Sequence, residues 1–202
     1  MASGALALPI HLHGAHVRLE PLAESHIPGL VRIGLDEEIW RHMPYGEIRT
    51  PDHMVQWVRS LLALAEAGSD VPFVVFHGPS GQIAGATRYM DIRLAHRGLE
   101  IGGTWYGARY RRTAVNTECK YLLLRHAFEV MTCIRVQFKT DLRNERSQRA
   151  IERIGAVREG ALRNHMILPD GTIRHSVYYS ILDVEWPAVK KRLETLLAQQ
   201  PR

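Results

Sequence analysis

Cysteine is nearly absent: the 202-residue chain carries two, Cys119 and Cys133. Two thiols alone do not complete a metal site. Both fall where a helix or a helix end is expected, so they read as reduced thiols of a cytoplasmic protein. No apolar run is long enough to cross a bilayer. Met1 to Pro9 is small and apolar but has no basic segment, which argues against a secretory signal. Linkers, low-complexity segments and internal repeats are missing too. So is any dense basic run, because the arginines behind the net charge of +5 are scattered. That charge points to an anionic partner, and a polyanionic small molecule suits it as well as nucleic acid does.

What is present fits one α/β domain: 46% hydrophobic and 23% charged residues, on a chain long enough for a sizeable core. Residues 1–15 read as an irregular leader, and His11, His13 and His16 as exposed histidines with no carboxylate or cysteine near enough to complete a metal site. From Val17 onward the pattern is regular. Val17 to Leu22 alternates as a strand, and Glu24 to Leu35 has helical spacing. Trp40 to Thr50 is loop-like. Thr50-Pro51 caps and opens a helix that Gly68 ends. Three strands follow, Pro72 to His77, Gln82 to Ile92 and Leu99 to Tyr106, as an antiparallel meander. A helix over Thr117 to Met131 and an alternating strand over Ile134 to Thr140 make a crossover, so the strands flanking it are parallel. A helix starting near Asn144 and stopping at Gly155 comes next. A hairpin turning at Pro169-Asp170-Gly171-Thr172 and a final helix over Glu185 to Gln199 complete the order.

The stretch between the third meander strand and the crossover helix carries the chemistry. It holds Arg109, Arg111, Arg112, Thr113, Ala114, Val115, Asn116 and Thr117. The first amides of a helix lack intrahelical partners, and the helix dipole favours negative charge beside them. A strand, three arginines and a helix start form a phosphate cradle, or a solvated basic loop capped by Thr117; the local residues leave both open.

The element order and its motifs resemble the GNAT superfamily of N-acetyltransferases, from about Val17 to Trp186. Within it they are most similar to the ribosomal-protein N-terminal acetyltransferase (RimJ/RimL-type) branch. The residues carrying the resemblance are the opening strand Val17 to Leu22, Glu100-Ile101-Gly102 followed by Trp105, and Asn144, Ser147 and Gly155 in an Asn-x-x-Ser-x-x-x-x-x-x-x-Gly pattern. The pyrophosphate loop of the superfamily, Gln/Arg-x-x-Gly-x-Gly/Ala, is matched by Arg111 but departs at Ala114 and Asn116.

The resemblance implies a single domain over residues 16–200, with a mixed sheet of about seven strands, flanking helices and a splayed parallel pair that forms the cofactor cleft. It implies acetyl-CoA as cosubstrate, no metal, and an amine acceptor, either a protein N-terminus or a small amine. A soluble enzyme without membrane or nucleic-acid partners follows, with a homodimer compatible. The loop Arg109 to Thr117 would hold the donor's phosphates. Backbone amides near Trp105 and Tyr106 would polarise the thioester carbonyl. Asn144 would bind the pantetheine arm, and Ser147 would line the cofactor and protonate the leaving thiolate. Glu100, opposite Leu99 and Ile101 in the alternation, would face solvent or an acceptor cleft and act as base. Trp40, Tyr45 and His165 are candidate acceptor liners, with His175 beside them, and His165 is an alternative base. The altered loop leaves a second reading open, a catalytically inactive CoA-binding regulatory module.

Overall fold

The computed structural model describes residues 9–199; the first eight residues of the expected leader, and with them most of the stretch read for a signal, lie outside it, as do residues 200–202. The elements follow in the order β1 (Leu12–His13), β2 (Val17–Pro21), α1 (Ile27–Gly34), α2 (Glu37–Trp40), α3 (Pro51–Glu66), β3 (Val71–His77), β4 (Ile83–Arg93) and β5 (Gly98–Tyr106). Then come α4 (Ala114–Arg125), β6 (Arg135–Asp141), α5 (Glu145–Arg153), β7 (Val157–Ile167), β8 (Ile173–Leu182) and α6 (Trp186–Ala198). The strands form one sheet of eight, ordered β1-β2-β3-β4-β5-β6-β8-β7. The eighth strand comes from the expected irregular leader: Leu12 pairs with Leu19 and His13 with Arg18. Two residues suffice because Leu12 buries its side chain against the same core as Leu19.

Two apolar layers sandwich half of this sheet. On one face Leu99, Ile101, Val136, Phe138, Val177 and Tyr179 pack against α4, α5 and α6. On the other, Val74, Ala86 and Trp105 pack against α1 and α3. Trp57 sits there with Trp40 and Trp105, ring centroids 5.3 to 5.8 Å apart, which places Trp57 in the core as its helical spacing predicts. The second face has no helix over β6 and β8. There the outward residues of the alternation are polar: Gln137, Lys139 and Asp141 on β6, opposite Ser180, Tyr178 and Ser176 on β8.

One pair of neighbours is parallel, β5 with β6, and it lasts three residues: Gly98, Leu99 and Glu100 opposite Arg135, Val136 and Gln137. Beyond Glu100 the strands part. β5 follows β4, with a bulge that sets Gly103 and Thr104 against Thr87 alone, and Gly103 takes φ +58°. A Cβ on Gly103 would stand 3.2 Å from both Arg88 Nε and the Tyr45 hydroxyl, so glycine serves the backbone and the close approach together. Gly85, within β4, lets β5 come near: a Cβ there would lie 2.0 Å from the Trp105 carbonyl oxygen.

Helix α4 starts three residues before the sequence pattern suggests. Thr113, not Thr117, is its cap, accepting from the Val115 amide at 3.3 Å. Thr117 lies inside the first turn and accepts from Arg153. The helix is buried nearly all round, including two charges. Glu118 accepts from the backbone amides of Ala15, His16 and Val17 at 2.9, 2.5 and 2.7 Å, which ties the chain's start to the crossover helix. Lys120 donates to Thr104 Oγ1 at 2.6 Å and lies over the Phe138 ring. Burial drives the Lys120 ammonium down from 10.5 to about 8.

Two stability predictions follow from α4. Glu118→Ala leaves three amides without their acceptor and costs about 3 kcal/mol or more at roughly 1 or more each; urea unfolding checks this through a lower midpoint. Lys120 is protonated in both folded and unfolded chains below pH 8, so the fold carries the full cost of burying it. Between about 8 and 10.5 the unfolded chain binds more protons than the folded one, and stability rises with pH. Lys120→Met should raise stability at pH 7 by about 1–3 kcal/mol and flatten that rise, read from unfolding midpoints at pH 7, 8.5 and 10.

Candidate active site

The opening between β5 and β6 is the centre of the site, since each strand has a free backbone edge there. The Gly107 amide donates to the Ala84 carbonyl on β4 at 3.0 Å. Alternation along the strand therefore turns the Trp105 amide toward β4 and the Tyr106 amide into the opening. Of the two amides expected to polarise a carbonyl, Tyr106 supplies the one that is free. Both side chains are buried on opposite faces, Trp105 with α1 and α3, Tyr106 with α4.

The basic loop runs from this strand end to α4. Arg111 faces inward rather than standing free: its Nη2 meets Asp36 at 2.9 Å and its Nε donates to the Tyr106 carbonyl at 3.2 Å. It thereby fastens the loop to the cap of α2. Asp36 lies 75 residues away and gives no local signal in sequence. Arg109 lies over the Tyr110 ring, 4.7 Å from its centroid, and Arg112 takes a left-handed backbone at φ +62°. Ala114 and Asn116 are in the helical first turn, so the backbone freedom of the missing glycines is not needed there; the strained position of the loop is Arg112. The Val115 amide is taken by Thr113, while the neighbouring first-turn amides have no intrahelical acceptor.

Glu100 is where the strands divide. It is 2% exposed, so of the two environments expected from its alternation, solvent or an acceptor cleft, solvent is excluded. The physical reason is its ladder partner: Gln137 Nε2 donates to it at 3.1 Å, and the Lys139 ammonium stands 3.5 Å away on the next outward position. His165 shares this face, with Nδ1 2.9 Å from Ser176 Oγ and Nε2 3.3 Å from the Tyr178 hydroxyl. Burial first, then Lys139 and Arg174, lower its imidazole from the ordinary histidine range, against Glu100, which raises it. Tyr45 accepts from Arg88 Nη2 at 2.8 Å above the bulge, and burial raises its phenol. Trp40, expected to line the acceptor side from a loop, closes α2 instead: its indole N–H donates to the Gly34 carbonyl at 2.7 Å, inside the aromatic cluster. His175 accepts from the Asn164 amide.

Asn144 and Ser147 sit at the start of α5, beyond the end of β6. Asn144 Oδ1 accepts from the Ser147 amide at 3.0 Å, the capping geometry. A cleft of 260 Å³ lies between this helix start and the end of α2, lined by Glu38, His42, Arg143, Asn144, Glu145 and Arg146. Among the described residues no group of three acids, histidines and cysteines is placed to hold a metal, and no helix is long and apolar enough to cross a membrane. Sequence reasoning missed Arg88, Lys139 and Arg174. The signal for Arg174 was legible: Arg174, Ser176 and Tyr178 alternate with Val177, Tyr179 and Ile181, a polar face on a central strand.

Comparison with known proteins agrees with this geometry. Residues 16–157 match the acetyltransferase (GNAT) domain family. A T. thermophilus chain described as an acetyltransferase is 44% identical, with 96% of this chain and 100% of that one covered at a TM-score of 0.87. A GCN5-related N-acetyltransferase from Brucella melitensis is 29% identical over 94% and 86% of the two chains, also at 0.87. A Bacillus subtilis chain named as a ribosomal N-acetyltransferase, YdaF, is 30% identical over 110 residues, 54% of this chain; the match spans 59% of that relative's length. With a parted parallel pair, a helix start facing the gap and more than half its length matched, the chain belongs to the GNAT acetyltransferase family.

Proposed function

We propose that the protein is an acetyl-CoA-dependent N-acetyltransferase acting on a primary amine, a protein N-terminus or a small amine, by direct attack on the thioester. The observation that carries this reading is the opening after Glu100, bounded by a free Tyr106 amide, the first turn of α4 and the start of α5. The donor, when bound, supplies the activated acetyl group. The residues fit it: the first-turn amides of Ala114 and Asn116 and the side chains of Arg109 and Arg112 suit phosphates, and Arg111 holds the loop in place through Asp36. Thr113 caps the helix and keeps those amides aligned. Asn144, with its oxygen used in the cap, has its amide nitrogen left for the pantetheine arm.

In the reaction the Tyr106 amide donates to the carbonyl oxygen as charge develops there. Glu100 accepts a proton from the attacking amine, and Gln137 and Lys139 keep its carboxylate oriented. His165 stands on the same face as the alternative base. Ser147 gives a proton to the departing sulfur. Tyr45 and Trp40, with the hairpin that carries His165, border the acceptor side. Buried free thiols at Cys119 and Cys133 suit the cytoplasm. The opening leaves a complete set of groups for transfer, which favours an enzyme over an inactive CoA-binding module.

Steady-state kinetics with acetyl-CoA and a panel of amines and amino-terminal peptides, read by thiol release, test the reading. Glu100→Gln should lower kcat by about 10²–10⁴-fold at pH 7. Ser147→Ala should lower kcat by about tenfold or more with little change in donor affinity by calorimetry. Donor binding without thiol release for any amine contradicts the reading, and full kcat in Ser147→Ala removes that residue from the mechanism.

A further inference from the structure

The polar face of β6 and β8 pairs its charges and leaves one cation over. Glu100 meets Lys139 at 3.5 Å, Asp141 meets Arg143 at 2.8 Å, Glu159 meets Arg135 at 2.5 Å, and Asp70 meets Arg88 at 3.0 Å across the bulge. Arg174 is 4% exposed and has no carboxylate within 4 Å among the described residues. Asp141, the acid opposite its neighbour Ser176, is held by Arg143 through both carboxylate oxygens and the Arg143 amide. Its hydrogen-bond partners are neutral, Nε donating to Ser176 Oγ at 3.1 Å and Nη1 to the His42 carbonyl at 3.2 Å, while Asp141 and Glu100 favour the cation only from beyond ion-pair distance. Those two bonds hold the guanidinium still and leave Nη2 without a partner among the described residues.

A buried guanidinium without a counter-ion is costly, and a hydrophobic residue in its place would avoid that cost. Leaving it without a carboxylate at ion-pair distance, on the face that Glu100 shares, suits a ligand that brings the negative charge. The Ser176 hydroxyl that receives Arg174 also meets His165, so the cation and the face of Glu100 belong to one surface.

We infer that Arg174 is a specificity residue that binds a carboxylate on the acceptor, so that the preferred amine carries an acidic group. This rests on the reading of the opening as an acetyl-transfer site. The register sets the spacing. Glu100 is opposite Gln137 and Ser176 opposite Asp141, four residues apart on β6. That is roughly 13 Å at 3.3 Å per residue. A hydrogen bond of about 3 Å at each end leaves roughly 7 Å between amine and carboxylate. An α-carboxylate next to its own amine is too close. An acidic side chain on the second residue of a peptide reaches, and that of free glutamate falls short.

Matched acceptors test it: amidated peptides that differ only as Glu or Gln at the second position, and free glutamate against glutamine. Binding is measured by calorimetry on the full chain with coenzyme A present, and transfer by thiol release. The acidic peptide should bind at least tenfold more tightly than its amide twin. Arg174→Met should bring the two within twofold, and Arg174→Lys should restore part of the preference. Equal binding of the twins by the wild-type chain, binding of neither, or a preference that survives Arg174→Met overturns the proposal. So does a loss of coenzyme A affinity in Arg174→Met that exceeds the loss for peptide, which would assign Arg174 to the donor. A free-glutamate preference equal to the peptide's overturns the spacing. Selective binding of the acidic peptide with no thiol release leaves the carboxylate site standing and contradicts the transfer reading instead.

Discussion

The structure depends on a hydrogen-bond ladder that stops. Strands β5 and β6 begin paired and part after Glu100, at a point where backbone groups would ordinarily keep finding partners. Both strands stay anchored on their outer sides, β5 to β4 and β6 to β8, so the parting opens a gap without loosening the sheet. The bulge at Gly103 and Thr104 bends β5 away, and Lys120 reaches from α4 to hold Thr104 in that position. The helix that begins beside the gap therefore also supports its shape. Its Glu118 secures the chain's first strands from the same side.

The two faces of the sheet divide the labour. One is apolar throughout and carries α4, α5 and α6. The other is apolar only as far as β5, and beyond it β6 and β8 turn a row of charges outward. In the proposed function, a donor along the helix starts and an acceptor on the charged face reach the gap from different directions. The commitment of Arg111 to Asp36 fits that division, since it joins the loop to α2 and leaves the helix amides to the proposed donor.

Much of this was legible in the residues. Alternation in Ile134 to Thr140, the Thr50-Pro51 cap and the Pro169 to Thr172 turn each rest on local chemistry and marked their elements. The parallel pair followed from strand, helix, strand. The start of α4 was misplaced because Thr113 and Thr117 are both good caps and only the tertiary contact of Thr117 with Arg153 separates them. β1 escaped notice because two residues show no period. Lys139 escaped because its importance lies in how charges pair across neighbouring strands, which no local window contains; the alternation around Arg174 marked a polar face, but only the folded sheet shows it without an ion-pair partner.

Amide NMR on the uniformly ¹⁵N-labelled chain, titrated with a non-reactive ketone analogue of acetyl-CoA, tests the central claim most directly. The account predicts a large downfield shift of the Tyr106 amide as it takes up the carbonyl oxygen, with changes at Ala114, Asn116 and Ser147. A Tyr106 resonance that stays in place while shifts gather in the 280 Å³ cavity that Trp40, Met43, Ile48, Leu168 and Pro169 line between α2 and the hairpin turn would contradict it.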